Sequence, residues 1–345
     1  MAPDATEPTG RLRQLDGLRA LAFLAVFTHH AVDAPLLWAG VDLFFVLSGF
    51  LITAILLRQR GSDSFFRSFY YRRFLRIFPA YYLVLLMTFA FFDAEWREHW
   101  YWYVFYISNI QDAFVGIGSP LLSPMWSLAV EEQFYLLWPL LVFFLGSKGM
   151  WRLSWACLLI APVVRGALTI SFDDFRPVYA LLPCRLDLLA AGGLMAIARM
   201  RDRERFNALA RHGFRVAALG SVAFAGMAVL LPEFRTSENS LLFNVLGYSL
   251  IGVVMVGIVA GVVAARSDGV VYRLLTAKGL VYLGTISYMM YLCHLLIIME
   301  LRHWLQLPQP FNAALSLAVV ILVSSLSWFA MERPLMGYKD RVAVY

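Results

Sequence analysis

The chain alternates between long apolar runs and short segments rich in arginine, a pattern that predicts helices crossing a lipid bilayer. A helix needs about 20 apolar residues to cross the hydrocarbon core. Ten runs approach that length: 15–33, 41–57, 79–92, 126–145, 152–171, 180–198, 215–231, 241–264, 279–300 and 311–331. The predicted fold is therefore all-α, a polytopic transmembrane bundle of about ten spans.

The basic connectors predict the orientation of this bundle, because arginine- and lysine-rich loops stay in the cytoplasm. These connectors are residues 58–78, 146–152, 199–215 and 266–278. An even number of predicted spans lies between each consecutive pair of connectors. Both termini are then cytoplasmic. The predicted organisation is a cytoplasmic segment at 1–14, an integral membrane domain at 15–335 and a cytoplasmic tail at 336–345.

Two aromatic segments are predicted to lie along the membrane surface. In residues 65–78, phenylalanine and tyrosine alternate with arginine, which is typical of an amphipathic helix on the inner surface. Such a segment is most simply a topology anchor, and Pro79 would begin the third span in its first turn. Residues 95–112 are dense in Trp and Tyr but short, which favours an interfacial helix on the outer side.

Composition supports the membrane interpretation. The chain is 61% hydrophobic and 15% charged, against roughly 25% charged residues in a soluble domain. The net charge of +6 resides in the connectors, so we read it as a topology signal and predict no nucleic-acid partner. The three cysteines lie in apolar runs without C-x-x-C spacing, so neither a disulfide framework nor a metal site is predicted.

Ionisable side chains inside spans mark sites or pathways by default. In the predicted topology they cluster between mid-membrane and the outer interface: His29, His30, Asp42, Glu131, Glu132, Arg185, Asp187, Tyr288, Tyr291 and His294. His30 follows Arg19 by eleven residues, which places both on one helix face about 16 Å apart. Ser127, Glu131 and Tyr135 form a second stripe at i, i+4 spacing. These stripes predict an internal polar cavity.

Structural alternatives exist for most of these residues. His29 is more simply a hydrogen-bonded residue at a helix end, and Tyr288 an interface side chain. Glu131 and Glu132 could form salt bridges with Arg185. Asp187 could pair with Arg185 or with a neighbouring span, and His294 is open to either interpretation.

Four segments together resemble the acyltransferase-3 family of integral membrane O-acyltransferases. They are LDGLR at 15–19 followed by His30, GVDLFFVLSGFLI at 40–52, RRFLRIFP at 72–79, and WSL with EEQFY between 126 and 135. Weaker similarities are RLD at 185–187, ISY at 286–288 with Tyr291 and His294, and ERP at 332–334. Each motif is loose, but their order and spacing across residues 11–335 are specific.

The resemblance implies transfer of an acyl group from cytoplasmic acyl-CoA, with acetyl-CoA favoured, to a hydroxyl. His30 is similar to the family's catalytic histidine, and Arg72, Arg73 and Arg76 to its donor-associated arginines. Glu131 and Arg19 would belong to the same cavity. As a working mechanism, His30 is the general base, with Asp33, Asp42 or Glu131 as its carboxylate partner. A role for Ser127 as covalent acyl carrier is the minor alternative.

The remaining polar residues are predicted to line the substrate cavity: Ser127, Arg185, Asp187, Tyr288 and His294. A cell-envelope polysaccharide, a lipid-linked sugar or a secreted small molecule would each suit an outward-facing cavity, and a glycan is favoured. The predicted location is the cytoplasmic membrane. A transporter or exporter is the main alternative, because buried charges also line transport pathways; a structural membrane protein would have no reason to enclose such a cavity.

Overall fold

The computed structural model describes residues 12–92, 95–116, 118–234 and 239–342, and all regular secondary structure in them is helical. Most of the predicted 1–14 segment and the last residues of the predicted tail lie outside the described residues. The helices are α1 Arg13–Val32, α2 Gly40–Gln59, α3 Phe65–Phe91, α4 Trp100–Val104, α5 Ser108–Phe114, α6 Met125–Ser171, α7 Arg176–Ala180, α8 Leu182–Arg201, α9 Arg203–Ala210, α10 Gly213–Leu230, α11 Tyr248–Val263, α12 Val270–Leu275, α13 Lys278–Leu305, α14 Gln309–Ser327 and α15 Arg333–Val342.

Eight stretches of the described chain are long and apolar enough to cross a membrane: Leu37–Gln59, Phe65–Phe91, Met125–Ser171, Arg176–Arg201, Gly213–Leu230, Phe243–Val263, Lys278–Leu305 and Gln309–Tyr338. Their outer surfaces present large apolar side chains, such as Val229, which is 82% exposed. An apolar exterior of this extent requires lipid as its solvent. The protein is therefore an all-helical, multi-pass membrane protein.

The centre of the bundle is formed by α2, α8 and α13. In the most apolar 18 residues of the stretches that contain them, 67%, 72% and 61% are buried, against 17% for α10. Glycines allow α2 and α8 to approach closely. A Cβ atom added at Gly49 would lie 1.9 Å from the carbonyl oxygen of Leu189, and one at Gly192 would lie 2.2 Å from that of Val46. No larger residue fits these contacts, as is usual where membrane helices pack through their backbones.

Helix α1 packs against α13 in a similar way. A Cβ atom added at Gly284 on α13 would lie 1.9 Å from the backbone oxygen of Asp16 on α1. Further along the same pair, the rings of His30 and His294 come into contact. The packing of these two helices thus brings together two histidines that are 264 residues apart in sequence.

Helix α3 corrects the prediction of a surface helix at 65–78 followed by a separate span. The structure has a single helix, Phe65–Phe91, with Pro79 in its interior. Proline removes one backbone hydrogen bond, but such a residue is tolerated in membrane helices because their neighbours re-satisfy the freed groups. The 27 residues extend about 40 Å, so the arginine-bearing turns continue directly into the apolar part.

The predicted spans 126–145 and 152–171 belong to one helical stretch, α6, which has a break inside it. Gly146 has φ 60° and ψ −173°, a conformation that glycine adopts without steric cost. The break divides α6 into two segments, each of about 20 residues or more. Either segment is long enough to cross the hydrocarbon core.

The predicted interfacial helix at 95–112 is also corrected. The structure has a 3₁₀ turn at Glu95–His99 and two short helices, α4 and α5, in place of one helix. Tyr106, between α4 and α5, has a positive φ of 54°. None of these pieces is long enough to cross a bilayer.

Candidate active site

A cavity of about 300 Å³ lies beside the C-terminal end of α1 and is lined by both His29 and His30. Six aromatic side chains contribute to the remaining wall: Trp38, Trp126, Phe175, Tyr179, Tyr248 and Tyr291. Polar side chains also reach it from Asp112, Ser123 and Arg176. The cavity is therefore an aromatic chamber with an imidazole at one side and a few polar groups around it.

One hydrogen bond joins the ring of His30 to His294, and a second holds His294 in place. Its Nδ1 lies 3.0 Å from Nε2 of His294, and Nδ1 of His294 lies 2.7 Å from the backbone oxygen of Tyr291. His294 is fully buried and does not line the cavity. The predicted partners Asp42 and Glu131 are instead bonded to Arg185 and Ser48, and Asp33 accepts a hydrogen bond from Gln309.

His29 makes a different contact. Its Nδ1 lies 2.9 Å from the backbone oxygen of Ala34, in the turn that follows α1. A carbonyl can only accept, so His29 donates this bond and ties the end of the helix to the next segment. This is the helix-end interaction that its position in sequence favoured.

Beyond His294, polar side chains on α6, α2 and α13 are connected by hydrogen bonds. Ser127 lies 2.6 Å from the Tyr291 hydroxyl, as measured between the two oxygens. Four residues on, Glu131 accepts a 2.5 Å hydrogen bond from Ser48, whose hydroxyl also accepts one from Tyr135 at 2.9 Å. The stripe Ser127, Glu131 and Tyr135 therefore forms a polar track about 12 Å long beside α2.

The predicted donor arginines lie at the far end of this track. The Arg73 guanidinium is 3.0 Å from the centre of the Tyr135 ring and 3.6 Å from the Glu132 carboxylate. Arg76 lies within electrostatic range of the Arg19 and Arg73 cations and of the Asp16 carboxyl. Among the described residues, the buried Nε atoms of Arg19 and Arg72 have no hydrogen-bond partner, whereas that of Arg73 faces Glu132. Guanidinium groups match phosphate and carboxylate oxygens in geometry and charge.

The predicted cavity residues occupy other places in the bundle. Arg185 pairs with Asp42 at 3.1 Å, and its guanidinium lies 4.3 Å from the Tyr248 ring centre and 5.0 Å from that of Tyr179. It therefore supports the aromatic wall from behind. The suggested pairing of Arg185 with Glu131 or Glu132 is wrong, because Asp42 takes that place.

The suggested pairing of Asp187 with a neighbouring span is confirmed and the one with Arg185 is not, because Asp187 pairs with Arg165 at 2.7 Å. Arg165, which is 1% exposed, was not identified from the sequence. Its position inside the predicted span 152–171 was the available signal, since an arginine there needs a partner. Tyr288 donates to the backbone oxygen of Ile77 at 3.2 Å and so contacts α3 near the arginines. Of the five predicted cavity residues, none lines the chamber in the part of the chain that the structure describes.

Asp112 and Arg176 are wall residues that the sequence analysis missed. Asp112 lies on α5, outside the membrane-spanning helices, and Arg176 begins α7. Burial raises the pKa of the Asp112 carboxyl to about 7, and the nearby Arg176 cation opposes part of this rise. Asp112 thus changes charge close to neutral pH. Its short helix shows no periodicity that would have distinguished it from a surface residue.

In the ranges that the structure describes, no group of three or more His, Cys, Asp or Glu side chains is arranged to hold a metal ion. The fold and the site together define a membrane protein whose contacting histidines, His30 and the buried His294, lie between an aromatic chamber and an arginine cluster. Residues 12–331 match the family profile described as an acyltransferase domain. The chain belongs to this family, the acyltransferase-3 family of the motif analysis.

Several curated relatives align with nearly the whole chain. The peptidoglycan O-acetyltransferase OatA of Listeria monocytogenes is 30% identical over 95% of this chain and 57% of its own length. The putative peptidoglycan O-acetyltransferase YrhL of Bacillus subtilis is 30% identical over 93% of this chain and 54% of its own. The O-acetyltransferase OatA of Staphylococcus aureus is 28% identical over 94% of this chain and 57% of its own length. The chain thus spans a little over half the length of these relatives. No solved structure matches it.

Proposed function

We propose that the protein is a membrane O-acetyltransferase that moves an acetyl group from cytoplasmic acetyl-CoA to a hydroxyl of a carbohydrate acceptor. The central observation is the position of His30, whose ring borders the aromatic chamber on one side and meets His294 on the other. The printed names of the three relatives, all O-acetyltransferases, support the same class of reaction.

The chamber suits a sugar. Aromatic rings provide flat apolar faces for the C–H surfaces of a pyranose ring, and a few polar groups fix its orientation. Trp38, Trp126 and Tyr179 supply such faces, and Asp112 and Arg176 supply a hydrogen-bond acceptor and a donor. Because two of the relatives are named for peptidoglycan, a cell-envelope glycan is the acceptor class we propose.

The arginine cluster suits the donor. The phosphates of CoA would bind Arg72, Arg76 and Arg19, whose guanidinium groups match phosphate oxygens in geometry and charge. Arg73 would hold the neighbouring wall through Tyr135 and Glu132. The pantetheine arm would follow the polar track of Tyr135, Glu131 and Ser127 toward His30. This track, and the separation of about 16 Å between Arg19 and His30 along α1, support a donor that enters from the inner side.

The reaction would proceed by direct transfer. His30 takes the proton from the acceptor hydroxyl as its oxygen attacks the thioester carbonyl carbon. The C–S bond then breaks, the acetyl ester remains on the sugar, and the imidazolium returns the proton to the CoA thiolate. Ser127 is bonded to Tyr291 and to the backbone oxygen of Pro124. Without a base beside it, Ser127 is not favoured as a covalent carrier.

We further propose ten crossings of the cytoplasmic membrane, with both termini inside and the transferase domain at residues 15–335. Helices α2 and α8 support this count because they run in the same direction: Asp42 pairs with Arg185, and Thr53 lies beside Gly193 further along both helices. Parallel orientation requires an odd number of crossings between α2 and α8, and the required three are present if α3 crosses once and α6 crosses twice at its Gly146 break. Adding α1 to the apolar stretches then gives ten.

Purified protein in liposomes, supplied with radiolabelled acetyl-CoA and peptidoglycan fragments, tests this proposal. Transfer of label to the fragments is expected, and His30→Ala should reduce its rate about 10²–10⁴-fold, as for loss of a general base. His29→Ala is the matched control and should retain transfer. Equal loss in both variants would contradict the role of His30. Movement of an unmodified solute without acetyl-CoA would favour the transporter alternative.

A further inference from the structure

The contact between His30 and His294 determines where the proton lies on each imidazole. Nδ1 of His294 lies 2.7 Å from the backbone oxygen of Tyr291. A carbonyl oxygen has no hydrogen to donate, so His294 must supply the hydrogen of this bond. A neutral imidazole has a single N–H, and therefore Nε2 of a neutral His294 is an acceptor.

The surroundings of His294 favour its neutral form. The residue is fully buried, and its ring meets the edge of Phe23, the ring of Tyr291 and the ring of His30. Its hydrogen-bond partners are uncharged groups in the resting state, namely the backbone of Tyr291 and Met290 and the imidazole of His30. Burying an imidazolium without an anionic partner is costly. The ring is then neutral, with its proton on Nδ1.

We infer that His294 is a positioning residue, which accepts a hydrogen bond from His30 Nδ1 and so leaves His30 Nε2 unprotonated as the atom that receives the acceptor's proton. The catalytic part of this inference rests on the proposed function. The relay runs from the Tyr291 carbonyl through His294 to His30, with donor-to-acceptor distances of 2.7 and 3.0 Å. It takes the place that a carboxylate occupies behind the histidine of a catalytic triad.

A neutral imidazole in this position has a chemical consequence of its own. A carboxylate would stabilise the imidazolium through opposite charge, whereas His294 orients the ring and fixes its tautomer without adding a negative charge. In the reaction, His30 gains one proton at Nε2 and returns it to the leaving thiolate, while its Nδ1 proton stays in the bond to His294. No net proton enters or leaves the pair.

The tautomer can be measured without any acyl transfer. In protein labelled with ¹⁵N-histidine, nitrogen NMR distinguishes Nδ1–H from Nε2–H, and the His30 signals are assigned from their loss in His30→Ala. We expect Nδ1–H at His30 in the wild type and Nε2–H, the tautomer favoured in free histidine, in His294→Phe. His294→Gln should keep the wild-type tautomer, because its amide oxygen can accept from His30 and its N–H can donate to Tyr291.

Kinetics supply the second measurement. His294→Phe should lower kcat about 10–100-fold with little change in KM, as for loss of an orienting partner, and His294→Gln should restore most of it. Cys293→Ala is the control for disturbance of α13, because Cys293 is a buried neighbour of His294 that faces Ser324 on α14. It should change neither the tautomer of His30 nor kcat. An Nε2–H tautomer at His30 in the wild type would overturn the inference, as would full kcat in His294→Phe. A correct tautomer in a protein that transfers no acetyl group would instead overturn the proposed function.

Discussion

Asp42 on α2 and Arg185 on α8 form an ion pair of 3.1 Å in which the side chains are 2% and 1% exposed. Removing one partner of a buried pair leaves an uncompensated charge and costs about 3–5 kcal/mol. We therefore expect Asp42→Ala to lower the thermal unfolding midpoint of the detergent-solubilised protein markedly. Arg185 also contacts the rings of Tyr248 and Tyr179, so the aromatic wall should loosen as well.

The pair Arg266–Asp268 provides the control for this prediction. Its distance is 2.7 Å, but its side chains are 78% and 61% exposed. Exposed pairs contribute little because water screens them, so Asp268→Ala should leave the unfolding midpoint unchanged. Equal effects of Asp42→Ala and Asp268→Ala would show that burial does not decide the contribution of the inner pair.

The close contact between α2 and α8 predicts that substitution of Gly49 is unusually destabilising. Even alanine would place its Cβ atom 1.9 Å from the Leu189 carbonyl oxygen, so Gly49→Ala must separate the two helices. We expect a lower unfolding midpoint and loss of function, because α8 also positions Arg185. Gly226→Ala on α10 is the matched control: its Cβ atom would meet nothing within 4 Å, and alanine is the better helix former by about 1 kcal/mol. A tolerated Gly49→Ala would contradict the close packing.

The sequence pattern predicts the class of fold, but it does not predict the contacts that Gly49 and Asp42 make between helices. Apolar runs and basic connectors predict the helical membrane class, since both follow from the bilayer as solvent. The partner of Asp42 was not predictable, because Arg185 is 143 residues away and the choice depends on which helices pack together. Pro79 misled for a related reason: the helix continues through it, as membrane helices do where their neighbours satisfy the backbone groups that proline frees.

The candidate site was likewise predictable in part. His30 was selected by its eleven-residue spacing from Arg19, a property of a single helix. The contact between His30 and His294 requires the packing of α1 on α13, which no local pattern encodes. Asp112 lies on a short helix where polarity alone does not separate a wall residue from a surface residue.

The arginine cluster predicts how the protein binds CoA. Arg72 and Arg76 lie four residues apart and share a face of α3. Because each hydrogen bond to a charged group contributes about 1.5–3 kcal/mol, Arg72→Ala with Arg76→Ala should weaken CoA binding at least about tenfold. Calorimetry with the purified protein measures the loss, and the remaining affinity should fall as salt is added.

Arg67→Ala is the control for the donor site, since Arg67 is exposed and lies on a different face of α3. It should bind CoA as the wild type does. A protease-accessibility assay on the connectors reports membrane insertion in all variants. A double variant that inserts incorrectly would mean that these arginines serve as topology signals, and unchanged CoA affinity would exclude them from the donor site.

Asp112 predicts a pH dependence of stability. Burial raises the pKa of its carboxyl from 3.8 to about 7 in the folded protein, with Arg176 opposing part of the rise. Because the folded value lies above the unfolded one, the stabilisation associated with protonated Asp112 is complete below the unfolded pKa. It is lost as the pH rises toward and through about 7. Asp112→Asn, which does not ionise, should therefore become more stable relative to the wild type as the pH increases from about 5 to about 8.

Unfolding midpoints of both proteins across this range test the prediction. Asp174→Asn is the matched control, because Asp174 is 46% exposed and pairs with the same Arg176 at 3.3 Å. It should keep the pH dependence of the wild type. Parallel pH profiles for the wild type and Asp112→Asn would mean that the carboxyl at the chamber wall is ionised throughout the range. In that case Asp112 would act on a bound sugar only as a hydrogen-bond acceptor.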